Sequence, residues 1–86
     1  MLSSVTHVRV LITEPFADSL IKAPPEIQRL FGKLLANLLR DLRHPSLRAK
    51  RYDKERWQAR VNDDWRFYFR IEGDTYVLLD IIPHPK

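Results

Sequence analysis

Residues 57–71, WQARVNDDWRFYFRI, constrain the fold more than any other part of the chain. Side chains alternate faces along a strand with a period of two. Trp57, Ala59 and Val61 then share one face, as do Trp65, Phe67, Phe69 and Ile71. The polar stretch Asn62-Asp63-Asp64 between the two runs reads as a hairpin tip. Register follows from matching the apolar faces. A two-residue loop at Asp63-Asp64 sets Val61 opposite Arg66 and mixes the faces. A three-residue loop, common in hairpins, sets Val61 opposite Trp65 and Ala59 opposite Phe67. That register predicts Arg60 opposite Arg66 and Gln58 opposite Tyr68. Directly opposed like charges destabilise a sheet, and an anionic ligand would account for the pair.

The remaining elements follow from periodicity and punctuation. Residues 5–13, VTHVRVLIT, alternate as a strand with one strongly apolar face, Thr6, Val8, Val10 and Ile12 opposing Val5, His7, Arg9 and Leu11. Pro15 suits the first turn of a short helix running to about Lys22. Pro24-Pro25 breaks the chain and opens a second helix. Its stripe of Ile27, Leu30, Phe31, Leu34, Leu35, Leu38 and Leu42 is one-sided and belongs to a core. Arg40 and Arg43 are expected in its last turn, and His44-Pro45 stops it. Residues 47–53 form a weaker strand, the hairpin follows, and 75–82, apolar on both faces, reads as a central strand. The order β-α-α-β-β-β-β predicts one α+β domain over residues 1–86, with two N-terminal helices on one face of a small antiparallel sheet. If Glu72-Gly73-Asp74 is a three-residue loop, Arg60, Arg66, Tyr68, Arg70, Tyr76, Asp80 and His84 share the open face, with Asp80 opposite Arg66. A two-residue Gly73-Asp74 turn shifts that pairing, and apolar patterning does not choose between them.

Composition excludes several classes of function. The chain has no cysteine, so disulfide scaffolds and thiolate metal sites are out, and a reducing cytoplasm is the expected location. No stretch approaches the roughly 20 apolar residues of a membrane span, and no signal-peptide pattern opens the sequence. His7, His44 and His84 lack any metal-ligand spacing, and with only two glycines there is neither a P-loop nor a dinucleotide fingerprint. Asp63-Asp64 are the only paired carboxylates, at a position better explained by turn formation. No metal or organic cofactor is expected.

What remains is positive charge. From Arg48 to Arg60 six cations (Arg48, Lys50, Arg51, Lys54, Arg56 and Arg60) face two carboxylates, giving thirteen residues the +4 carried by the whole chain. Such a run is either a solvated sheet edge or a polyanion site. Arginines bind phosphates bidentately, tyrosines such as Tyr68 or Tyr52 can stack on unpaired bases, and a histidine can give or take a proton near neutrality. RNA cleavage without a metal needs a base for the 2′-hydroxyl, cations for the phosphorane and an acid for the leaving 5′-oxygen. Arg66 with Arg60 could stabilise the charge, and His84 could be the acid. Alternatively, Arg66 serves a salt bridge to Asp80, and His84 belongs to a mobile tail.

The segment HPSLRAKRYDKERWQARVNDDWRFYFRIEGDTYVLLDIIPH resembles the RelE/ParE superfamily of toxins from type II toxin–antitoxin systems. The ordered features are a helix ending in Arg-His-Pro-Ser-Leu-Arg-x-Lys, the strand Trp-x-Ala-Arg-Val, a strand in which an arginine is followed by Phe and Tyr, and a late histidine. The resemblance implies the same α+β fold and, in the RelE- and YoeB-like branch, ribosome-dependent cleavage of mRNA. It implies Arg66, His84 and Arg60 as catalytic residues. With the basic run and the open sheet face, it makes Arg48, Lys50, Arg51, Lys54, Tyr68 and Arg70 the expected RNA-binding residues. A cognate antitoxin is the implied protein partner, with DNA contacted only through it. The chain departs from that branch where it lacks a glutamate after the long helix, lysines through Trp57-Gln58-Ala59 and a terminal tyrosine. The general base is therefore unassigned. ParE-like gyrase poisoning and an inactive antitoxin-binding relative are the alternatives.

Overall fold

The computed structural model describes residues 8–84. Strand β1 (Arg9–Ile12) leads into helices α1 (Glu14–Lys22) and α2 (Pro25–Arg40). Strands β2 (Lys50–Arg51), β3 (Trp57–Arg60), β4 (Trp65–Glu72) and β5 (Thr75–Pro83) follow. The element order is the expected one. The sheet order is β1-β5-β4-β3-β2, which makes β5 an interior strand, in keeping with its two apolar faces. One pairing corrects the antiparallel expectation: β1 runs parallel to β5.

Local signals explain the helices. Thr13 caps α1 by accepting the Phe16 N–H at 3.4 Å, and its hydroxyl donates to the Leu78 carbonyl at 2.7 Å, tying the helix start to β5. Pro15 and Pro25 occupy first-turn positions where a missing N–H is harmless. Helix α2 ends at Arg40, earlier than expected. Asp41 Oδ1 accepts the Arg43 N–H at 2.9 Å, and a side chain that bonds its own backbone two residues on competes with helix continuation. Leu42 still packs against the core from the turn that follows.

The core lies between the helices and one sheet face. Phe16 packs on Phe31 (centroids 5.1 Å), Phe31 on Phe67 (5.2 Å) and Phe67 on Phe69 (5.7 Å). Leu34, Leu38, Leu47, Ala59, Leu78 and Ile81 fill around them. Strand β1 contributes less than its pattern suggested. Val10 packs on the core, but Leu11 is 55% and Ile12 51% exposed, because β1 is an edge strand. Val5, Thr6 and His7, expected in the same strand, lie outside the described residues.

Register carries the functional consequence. The β3–β4 pairs are Gln58–Tyr68, Ala59–Phe67 and Arg60–Arg66, and the Val61 N–H reaches the Trp65 carbonyl at 3.0 Å. The three-residue tip is therefore the one formed. The second hairpin takes the two-residue turn: Glu72 pairs with Thr75 across Gly73-Asp74. Gly73 has φ +60°, a conformation that glycine adopts at little cost. That turn puts Tyr76 opposite Ile71 and against the core, with its ring on Phe69 at 5.7 Å, not on the open face. A bulge between Tyr68 and Phe69 then restores parity, so Tyr68 pairs with Asp80 and Arg66 with Ile82. Asp80 is thus not opposite Arg66.

Candidate functional site

The open sheet face holds a concavity of about 230 Å³ lined by Arg48, Lys50, Gln58, Arg60 and Arg66. Four of the five side chains are cationic types and none is a carboxylate. Alternation and register build it. Lys50 pairs with Gln58 and Arg60 with Arg66, all on the face away from the helices. Arg48 arrives by a local irregularity. The Arg60 N–H donates to the Leu47 carbonyl at 2.8 Å, so Leu47 and Arg48 together stand beside Arg60. Leu47 is fully buried, and Arg48 takes φ 45°. A left-handed backbone is unfavourable for a residue with a Cβ, and such strain gathers at functional positions. Three arginines thus stand abreast on lanes spaced roughly 4.8 Å apart.

The hairpin tip steadies the opposed pair. Arg66 Nη1 donates to the carbonyls of Asn62 (2.5 Å) and Trp65 (3.0 Å). Arg60 is ion-paired with Asp63, whose side chain is 82% exposed. Asn62 Oδ1 closes the tip by accepting the N–H groups of Asp64 (2.8 Å) and Trp65 (2.9 Å). Asp63 is therefore more than a turn former, and Arg66 makes no salt bridge to Asp80. Asp80 instead accepts from Ser19 Oγ at 2.7 Å and from the Ile81 N–H at 2.9 Å.

The other expected residues fall outside this pocket. The backbone N–H of His84 donates to the Asp64 carbonyl at 2.6 Å, which anchors it beside the hairpin tip. Continuing the register, it lies two residues beyond the Arg66–Ile82 pair, roughly 7 Å along the sheet. His84 is exposed and at the rim, not in the lining. Arg70 lies four residues from Arg66, roughly 13 Å away, and is ion-paired with Glu72. Arg51 is on the opposite sheet face, its guanidinium 5.7 Å from the Trp57 ring centre and bonded to the Lys54 carbonyl at 2.6 Å. Lys54 sits in the β2–β3 turn. Tyr68 is only 8% exposed, and its hydroxyl accepts from Gln58 Nε2 at 3.0 Å. It is a floor for the face and not a free stacking platform.

Two residues emerge that charge counting passed over. Gln58 enters the lining because it pairs with Lys50 and Tyr68 on the same face, a position its alternation with Arg60 already indicated. Tyr52 is the exposed ring, at 52%, set edge-on to Tyr68 at 5.1 Å with the Arg56 guanidinium 5.0 Å from its centre. The β2–β3 turn is closed by Asp53, which accepts from Arg56 Nε at 2.8 Å and from the N–H groups of Arg56 (2.7 Å) and Glu55 (3.0 Å). The Arg56 side chain, then these two N–H groups, hold the Asp53 carboxyl below its ordinary value. Burial, with a smaller push from Asp41, raises the Tyr76 phenol. Among the described residues, no group of three or more histidine or carboxylate side chains is placed to hold a metal ion. No helix among them is long and apolar enough to cross a membrane.

No protein-family model and no curated protein sequence matches the chain. Solved structures do. A YoeB/ParE toxin from Agrobacterium tumefaciens superposes with TM-score 0.76 at 14% identity, over 91% of this chain and 100% of that one. A chain of the toxin–antitoxin complex RelBE2 from Mycobacterium tuberculosis gives 0.70 at 22% identity, over 90% and 98%. A chain of the RelB–RelE antitoxin–toxin complex from Methanococcus jannaschii gives 0.71 at 14% identity, over 85% and 88%. Two helices on one face of a five-stranded sheet, with β1 parallel to β5, are thus the fold that this chain shares with the RelE- and YoeB-type toxin structures.

Proposed function

We propose that this protein is the toxin of a type II toxin–antitoxin pair and an endoribonuclease that cuts mRNA held in the ribosome. The observation that carries the reading is the pocket itself. Arg48, Lys50, Arg60 and Arg66 converge with Gln58 on a concavity whose lining has no carboxylate. Its volume suits a single phosphate with its ester oxygens, and guanidinium forks match phosphate geometry. On this reading the 2′-hydroxyl loses its proton to solvent water as it attacks, and Arg60 and Arg66 stabilise the charge that builds on the non-bridging oxygens of the phosphorane. His84, at the rim, delivers a proton to the departing 5′-oxygen. Gln58 and Lys50 orient the non-bridging oxygens. Toxin–antitoxin complexes among the structures of this fold support a cognate antitoxin as partner. An antitoxin segment presenting carboxylates would complement the basic face, and the expected compartment is the cytoplasm.

One observation favours a second reading. The pocket lining holds neither histidine nor carboxylate to serve as base for the 2′-hydroxyl. A gyrase-directed toxin on the same fold would not need one. Primer extension on a defined mRNA, with purified protein and programmed ribosomes, separates the two. Cuts within the A-site codon, lost in Arg66→Ala and absent without ribosomes, are expected. Intact mRNA together with inhibited gyrase supercoiling would replace the nuclease with the gyrase poison.

A further inference from the structure

A second concavity, about 360 Å³, lies on the other side of the β2–β3 edge, where the chain leaves α2. The two cavities share one residue, Arg48, whose left-handed backbone sets it at the turn of the edge. The rear cleft differs in chemistry from the front pocket. Pro45, Ala49 and Trp57 give it apolar walls, and Arg43, His44 and Arg48 give it a polar rim. The Trp57 ring is already fixed, stacked on Phe69 at 6.3 Å and 17°. His44 Nδ1 accepts the Ser46 backbone N–H at 3.2 Å, which leaves Nε2 as the ring nitrogen open to a ligand. Ser46 Oγ also lies 2.8 Å from Nδ1 and takes a bond from Asn37 Nδ2 at 3.1 Å, which holds the ring in place. The rim thus presents two guanidinium donors and an imidazole, and its lining has no carboxylate.

We infer that the rear cleft is a nucleobase subsite, for an oxo-base and guanine first, belonging to the nucleotide whose phosphate occupies the front pocket. The inference rests on the phosphate reading above for its link through Arg48. Three features lead to it. The volume falls at the lower end of the roughly 300–1,000 Å³ typical of small-molecule sites, whereas the front pocket is smaller. Apolar walls with a fixed indole suit a planar ring. Two guanidinium donors at the rim select a ligand edge made of acceptors. Guanine offers O6 and N7 side by side, the pair that an arginine fork reads. The exocyclic amino groups of adenine and cytosine would meet donors there. The RNA strand would then pass around the short β2 edge, its phosphate on one face and its base on the other.

Two side chains report the two cavities separately in a ¹⁵N correlation spectrum of the whole protein, which also reports folding. The Gln58 carboxamide reports the front pocket, and the Trp57 indole N–H reports the rear cleft. Titration with GMP is expected to move both. Ribose 5-phosphate should move Gln58 alone, and AMP should bind about tenfold more weakly than GMP at the Trp57 signal. Arg43→Gln, an exposed change, should reduce the preference for GMP over AMP, and Ala49→Phe should fill the cleft and silence the Trp57 response. Equal affinity for GMP and ribose 5-phosphate, with Trp57 unmoved, overturns the base subsite and leaves the phosphate reading standing. Trp57 moving with guanosine while Gln58 ignores every phosphate overturns the phosphate reading and keeps the cleft. A Trp57 signal that follows a leucine- and glutamate-containing peptide and ignores GMP overturns the nucleobase in favour of a protein ligand.

Discussion

Replacing Arg66 with glutamine separates a stabilising role from a ligand-binding one. In the folded chain Arg66 faces Arg60 across the hairpin and donates to the Asn62 and Trp65 carbonyls. Loss of those bonds has a modest cost. The Trp65 carbonyl keeps the Val61 N–H at 3.0 Å, and a protein hydrogen bond is worth about 0.5–1.5 kcal/mol net. Relief of the opposed charge returns about 0.2–1 kcal/mol. Urea unfolding followed by tryptophan fluorescence should therefore show a change under about 3 kcal/mol, two such bonds less the relieved repulsion. Binding should suffer too. A charge-assisted bond to phosphate contributes about 1.5–3 kcal/mol, which is roughly a 10- to 150-fold loss of affinity at 1.4 kcal/mol per decade. Fluorescence anisotropy with a short labelled RNA at several salt concentrations measures it. The slope of log K against log salt should also fall by about 0.7 for each phosphate of the single strand that the variant no longer neutralises. A variant that loses more than about 3 kcal/mol of stability yet keeps its RNA affinity and salt slope would make Arg66 a structural arginine with no part in phosphate binding.

Four further outcomes follow from single interactions. Asp63→Asn removes the carboxylate paired with Arg60. Because the Asp63 carboxylate is 82% exposed and such a pair is worth at most about 1 kcal/mol, anisotropy should show RNA binding tightened by about two- to fivefold. Arg48→Gly relieves a left-handed strain of about 1–2 kcal/mol against about 0.5–1 kcal/mol of glycine chain entropy. Its thermal melt should match or exceed wild type while RNA affinity drops. Leu47→Ala empties a fully buried site that seats Arg48, so the urea midpoint should reveal a loss of about 2–5 kcal/mol. The Asp53 carboxyl, lowered by its bonds in the β2–β3 turn, should titrate by NMR below the ordinary value of about 3.9. Since its folded value is depressed, its contribution is complete above the unfolded value and lost as pH falls through the folded one. The Glu55 and Arg56 amides should therefore shift together with it in acid.

What could be read in advance was whatever one alternation determined. The 57–71 hairpin holds two strongly patterned strands, so matching Ala59 to Phe67 forces Arg60 against Arg66, as the register shows. The next hairpin defeats the method because β5 is apolar on both faces. Its two-residue turn and its bulge each shift parity by one, and they cancel near the site. Ile82 and His84 thereby return to the Arg66 face, while Tyr76 does not and the Asp80 carboxylate turns to Ser19 of α1. Charge counting along Arg48–Arg60 located the basic strip but not its members. Alternation sends Lys50 to the pocket and Arg51 to the Trp57 side, and only the bent backbone at Arg48 brings that side chain in. Tyr68 shared the right face yet is buried beneath Gln58 and Tyr52, because a sheet face with no helix on it still covers part of itself with its largest rings.

The opposed arginines also explain why the hairpin tip has its particular chemistry. Two guanidinium groups forced together need anionic or dipolar partners when no ligand is bound, and these partners must yield when one arrives. A buried carboxylate would hold them too well, since breaking a buried pair costs about 3–5 kcal/mol. The tip instead supplies an 82%-exposed carboxylate at Asp63 for Arg60 and main-chain carbonyls for Arg66. Water can replace either at small cost. The rigid parts lie elsewhere: Asn62 locks the turn, the Gln58–Tyr68 bond fixes the row beneath, and buried Leu47 pins the strained arginine beside them. The frame is thus fixed while the charges keep exchangeable partners, which is the arrangement expected of a seat for a transient phosphate. A sheet optimised for stability alone would place the aspartate inside the row, opposite an arginine. This one places it at the solvent-exposed end, where it can leave.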